Sequence, residues 1–152
     1  MNFNRQGQNY QGGAGGRGDS SAAGFKPDEQ RIERILNGDA KEMNEYASEL
    51  AKGFLKGKDQ EKLSTSQIRT ILGEIQKMKQ FDARQLQLLR PKLAYAAGRH
   101  KGRVKDFREL LETAIKKTNK DNFYMFKNFV EAIVAYHKYH EKIKEDRNDE
   151  QQ

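Results

Sequence analysis

From Pro27 to Tyr139 apolar residues recur three and four positions apart, the spacing that an α-helix gathers into one buried stripe. Ile32, Ile35 and Leu36 begin the pattern behind Pro27, Asp28 and Glu29, a first turn with a fixed φ and acidic charge. Asn37-Gly38 ends that short helix. Asp39 caps the next, with Glu42 at capping-box spacing, and Met43, Tyr46, Ala47, Leu50 and Phe54 follow. Ser64 with Gln67 repeats the capping box ahead of Ile68, Ile71, Leu72, Ile75 and Met78. Asp82 caps a fourth helix through Leu86, Leu89, Leu93, Ala96 and Ala97. Pro91 lies inside it and is expected to kink it, because proline removes a backbone donor and crowds the preceding turn.

Gly98 to Gly102 interrupts the pattern, and Val104, Phe107, Leu110, Leu111, Ala114 and Ile115 define a fifth helix. Asp121 is the expected cap of the last helix. There Phe123, Phe126, Phe129, Val130, Ile133, Val134 and Tyr136 cover more than half the circumference, as the central member of a bundle requires. No segment alternates with period two, and no Asn-Gly hairpin joins β-branched runs. The fold class is therefore all-α, a compact bundle of five to six helices spanning residues 27–143. Residues 1–26, rich in Gly, Gln, Asn and Ser, are expected to form a disordered tail, since they cannot bury enough area to offset ordering entropy. The charged run 144–152 is expected to fray. In the tail, Arg17-Gly18 and Tyr10-Gln11-Gly12-Gly13 are similar to low-complexity tracts in which arginine meets phosphate and tyrosine stacks on bases, but with so few arginines an inert extension is the favoured reading; Arg17-Gly18-Asp19 is a chance adhesion tripeptide.

Composition narrows the chemistry. The 152 residues include 29 Lys and Arg against 22 Asp and Glu, a formal charge of +7 that favours polyanions, nucleic acid before an anionic membrane. Mean hydropathy is −1.05, so the core must be economical. Without cysteine there are no disulfides, thiolate metal sites or thiol catalysis. The start MNFNRQGQNY has no apolar signal core and no apolar run is long enough to span a bilayer, which points to a cytoplasmic protein with no membrane partner. His137 and His140 are one turn apart with Glu141 adjacent, but the pair lacks a third ligand at defined spacing. His137 is expected at the edge of the core and His140 in solvent. No nucleophile elbow, P-loop or dinucleotide fingerprint occurs, so neither an enzyme nor a cofactor is expected.

The basic residues cluster. Lys52 and Lys56 are one turn apart, with Lys58 just beyond. Thr65 and Arg69 share a helix face placed away from Ile68, Leu72 and Ile75. Lys92 and Arg99, seven apart, project from nearly one face, and Arg99-His100-Lys101-Gly102-Arg103 makes a dense basic loop. Cations in one groove can track phosphates, so Lys52, Lys56, Lys58, Arg69, Lys92, Arg99 and Arg103 are the candidate RNA-binding residues, centred on Arg69, Lys92, Arg99 and Arg103. The alternatives are lysines that merely solvate helices, and a protein–protein adaptor whose basic groove is incidental.

Three stretches go beyond composition: Lys62-Leu63-Ser64-Thr65-Ser66-Gln67-Ile68-Arg69, Lys92-Leu93-Ala94-Tyr95-Ala96-Ala97-Gly98-Arg99, and Phe129-Val130-Glu131-Ala132-Ile133-Val134-Ala135-Tyr136-His137-Lys138-Tyr139. In this order and spacing they resemble the small subunit of type III-A CRISPR effector complexes, the Csm complex small-subunit family, over roughly Asp39 to His140. The resemblance implies a helical bundle that stacks head-to-tail in several copies beside backbone subunits. It also implies that the bundle helps cradle guide RNA and target RNA in antiviral defence, with catalysis left to other subunits. Arg69 and Arg99 match basic positions of the family motifs and Lys92 matches less tightly, whereas Lys52, Lys56 and Lys58 rest on charge alone. Tyr136 and Tyr139 are candidates for a subunit contact.

Overall fold

The computed structural model describes residues 24–99 and 101–151. Six helices follow in order: α1 (Glu29–Leu36), α2 (Ala40–Phe54), α3 (Thr65–Gln76), α4 (Ala83–Arg99), α5 (Arg103–Lys117) and α6 (Phe123–Glu150). No strand occurs among the described residues. The tail over residues 1–23 lies outside them. Phe25, assigned to that tail, is half-buried with its ring 5.8 Å from Phe54, so the packed chain begins before Pro27.

The helix starts are set by side-chain acceptors for otherwise orphaned N–H groups. Asp28 caps α1 by accepting from the Arg31 amide, which places Pro27 before the cap rather than in the first turn. Ser64 and Gln67 close both halves of their capping box. At α2 only Asp39 plays its part, because the Glu42 carboxylate is drawn across to Arg31 on α1. Asp82 caps α4 through the amides of Arg84 and Gln85. At α6 the expected cap moves by one residue. Asn122, not Asp121, holds the N-cap position, and no side chain bonds into the helix there. A compact turn replaces it, with Asn119 Oδ1 accepting from the amides of Asp121 and Asn122, and Asn122 Nδ2 donating to the Lys117 carbonyl. The fourth helix is unbroken from Ala83 to Arg99 across Pro91, which gives up one backbone bond.

Helix α6 lies at the centre, packed chiefly on α2 and also on α1 and α3, while α4 and α5 pair beside it. Phe126, Phe129, Val130 and Ile133 are fully buried, with Tyr46 of α2 stacked 6.0 Å from Phe129 and Phe107 of α5 meeting Phe54 edge-on at 5.6 Å. Helix α6 continues to Glu150, and tertiary bonds hold its second half as far as Lys144. His137 Nε2 donates to the Leu63 carbonyl at 2.7 Å, Glu141 accepts from the Thr65 hydroxyl at 3.0 Å, and Lys144 Nζ donates to the Leu55 carbonyl at 2.8 Å. One helix face thus grips the connection between α2 and α3. His137 is accordingly deep in the core at 1 % exposure, not at its edge. His140 is half-buried, 3.0 Å from Ser48 Oγ, rather than solvated.

The same connection anchors the start of α5. The Arg103 amide donates to the Glu61 carbonyl at 2.7 Å. Gly102 sits at φ +92°, and a Cβ there would lie 2.3 Å from that carbonyl oxygen. Only glycine meets both conditions.

Candidate nucleic-acid interface

The basic residues are divided by the fold into separate settings. Lys92 and Arg99 share a groove of about 610 Å³ between α3 and α4, as the seven-residue spacing predicts. Its floor is apolar, made by Ile71, Leu89 and Leu93, and its α3 wall is polar. Tyr95, one turn before Arg99, stands 68 % exposed at this groove, and the Arg99 guanidinium lies 5.5 Å from its ring centroid. Lys92 Nζ donates to Glu74 at 2.8 Å, and Lys77 reaches the same carboxylate at 2.9 Å. Those two bonds, Lys92 first, hold the Glu74 carboxyl down to about 2, so it is charged throughout the neutral range.

Arg103 does not join this groove. The turn at Gly102 redirects the chain, and its guanidinium pairs with Asp106 at 3.0 Å. Burial raises the Asp106 pKa, and the Arg103 partner opposes that rise. Arg103 lines a second groove of about 470 Å³ together with Lys56, Arg31 and Glu49. Arg69 is exposed on α3 and lines neither groove. The expected centre of Arg69, Lys92, Arg99 and Arg103 is therefore not one patch, because helix periodicity orders residues within α4 but not across the turn into α5. Thr65 also departs from expectation: it faces α6 and bonds Glu141 instead of standing beside Arg69 in solvent.

Lys52 is exposed on α2 near His140, where its charge, after burial, lowers the histidine pKa. Lys58 is exposed in the α2–α3 connection. Lys52, Lys56, Lys58, Arg69 and Arg99 have no acidic partner among the described residues, unlike Lys92 and Arg103. Sequence reasoning missed Tyr95 and Glu74 as groove residues. Tyr95 was legible as an aromatic one turn before an arginine, on a helix whose apolar stripe runs elsewhere; Glu74 pairs with a residue 18 positions away, which spacing cannot reveal. Among the described residues no group of three or more His, Asp or Glu could hold a metal ion, and no helix is long and apolar enough to cross a membrane.

What fold and surface define is a basic six-helix bundle with cation-lined grooves and one tyrosine left open at a groove mouth. A family model described as Csm2 Type III-A matches residues 37–143, and the chain belongs to that family. It is thereby a type III-A CRISPR effector subunit, of a family that is structural within the Csm complex, with other subunits of that complex as partners. The match encloses all three motifs of the sequence resemblance. No curated protein and no solved structure matches the chain.

Proposed function

We propose that this chain is a non-catalytic subunit of the cytoplasmic effector complex. In this reading it stacks in several copies and holds target RNA and its duplex with guide RNA by sequence-independent phosphate contacts. The observation that carries this is the family match over residues 37–143. The surface supports it. Lys52, Lys56, Lys58, Arg69 and Arg99 present charge with no acidic partner among the described residues, so counterion release on meeting phosphate is not offset by breaking an ion pair. A guide-defined duplex has to be held whatever its sequence, and cations on helix faces serve that need without reading base edges. Several copies along a strand imply a head-to-tail interface that propagates rather than closes.

The test is the double variant Arg69→Ala, Arg99→Ala, titrated with unrelated RNA sequences at several salt concentrations. Affinity should fall alike for every sequence, and the slope of log K against log salt should flatten by about 0.7–0.9 for each phosphate no longer neutralised. Unchanged affinity and slope would sink the assignment. A protein–protein adaptor would instead show complex formation indifferent to nuclease treatment at matched salt.

A further inference from the structure

We infer that the α3–α4 groove receives the base of an unpaired nucleotide, with Tyr95 as its stacking face and Arg99 beside it for the adjoining phosphate. The inference rests on the RNA-holding role proposed above and narrows it to one site and one kind of nucleotide. Tyr95, Tyr124 and Tyr139 are all exposed, but among the described residues Tyr95 alone of the three has a cation over its ring, and it stands at the groove on a helix whose Leu93 and Ala97 are buried. A cation over one face of an exposed ring leaves the opposite face for a base, a pairing of the kind that holds single-stranded bases.

The rest of the groove fits the same ligand. At about 610 Å³ it lies within the roughly 300–1,000 Å³ range of small-molecule sites, with an apolar floor for a flat ring. The α3 wall supplies an edge. Gln67 Oε1 accepts from the Ser64 amide at 3.0 Å, which fixes the side-chain amide and leaves Nε2 as a donor without an acceptor among the described residues. Thr70 Oγ1 donates to the Ser66 carbonyl at 3.0 Å, so its lone pairs remain to accept. A donor and an acceptor beside a π face match the edge of a nucleobase. Glu74, the one carboxylate at the groove, is already neutralised by Lys92 and Lys77 and does not repel a phosphate at Arg99. A paired base is excluded because its faces are already stacked in the helix, so the nucleotide must be unpaired.

The experiment uses the full chain and three probes: a short oligouridine, an abasic ribose strand of equal length and charge, and an RNA duplex. Fluorescence anisotropy at fixed salt should show oligouridine binding about tenfold more tightly than the abasic strand, the scale of one base–aromatic stack. Tyr95→Ala should erase that preference, so that the two strands bind alike; Tyr95→Phe should retain it. Because Tyr95 is exposed, circular dichroism should show both variants folded as the parent. Equal, salt-dependent binding to both strands overturns the base site and leaves the phosphate-holding role standing. Binding to no strand or duplex overturns both. Self-association that Tyr95→Ala abolishes, with any base preference intact, gives the groove to a second copy and also overturns the site.

Discussion

Glu74 decides how much charge the α3–α4 groove offers. Its carboxylate ties up Lys92 at 2.8 Å and Lys77 at 2.9 Å, so of the two cations that spacing placed on this face only Arg99 is unengaged by an acid among the described residues. Replacing Glu74→Gln keeps the size of the side chain and releases both lysines. RNA affinity should rise, and the salt slope should steepen by about 0.7–0.9 if Lys92 then meets one phosphate. Anisotropy titrations across salt measure both quantities; a slope equal to that of the parent would place Lys92 away from the strand. The residue scale is also where sequence reasoning stopped short. Lys92 and Arg99 were legible as neighbours because one helix sets their register. Arg103 was not legible as a separate residue, because the turn at Gly102 and the buried Asp106 that takes its charge are tertiary facts.

At the scale of elements, α6 has two jobs along its 28 residues. Its first half is core, with Phe126, Phe129, Val130 and Ile133 fully buried. Its second half is a polar clamp on the α2–α3 connection through His137, Glu141 and Lys144. A carbonyl only accepts, so His137 carries its proton on Nε2 when bonded to Leu63. His137→Phe preserves a ring but leaves that buried carbonyl unpaired, and should cost about 1–3 kcal/mol of stability. Urea unfolding would show this as a lowered midpoint with an unchanged slope; an unshifted midpoint would mean the clamp holds without His137. The apolar half was plain in the sequence, as were the caps at Asp39, Ser64 and Asp82, because periodicity and capping are local. The clamp was hidden: each of its bonds spans more than 70 positions, and a charged segment such as EKIKEDRNDEQQ looks like a fraying end until its partners are known.

For the whole molecule, acid should loosen the bundle in two stages. His140 is pushed below its ordinary value by burial first, then by Lys52 and His137. A depressed folded pKa gives stability that is full above the unfolded value and lost as pH falls through the folded one. The first loss therefore begins below about pH 6.5. Glu74, held at about 2 by Lys92 and Lys77, and Glu112, lowered chiefly by Arg90, give way only below the ordinary carboxylate range. Asp106, raised by burial, runs the other way and softens this second stage. Denaturant midpoints followed from pH 7.5 to pH 5 should decline in the parent and stay flatter in His140→Gln; equal declines would remove His140 as the source.

The central position of α6 has a consequence for the chain's birth on the ribosome. The first five helices emerge before α6, on which α1, α2 and α3 pack. Their apolar stripes have no finished core to enter, so the bundle cannot close until the first half of α6, with Phe126, Phe129, Val130 and Ile133, has emerged. The same wait applies to α3, whose outer face forms one wall of the groove and whose inner face rests on α6. A chain interrupted before that point would offer neither a stable bundle nor a groove to its partners, so entry into an assembly would select for chains that have been read through.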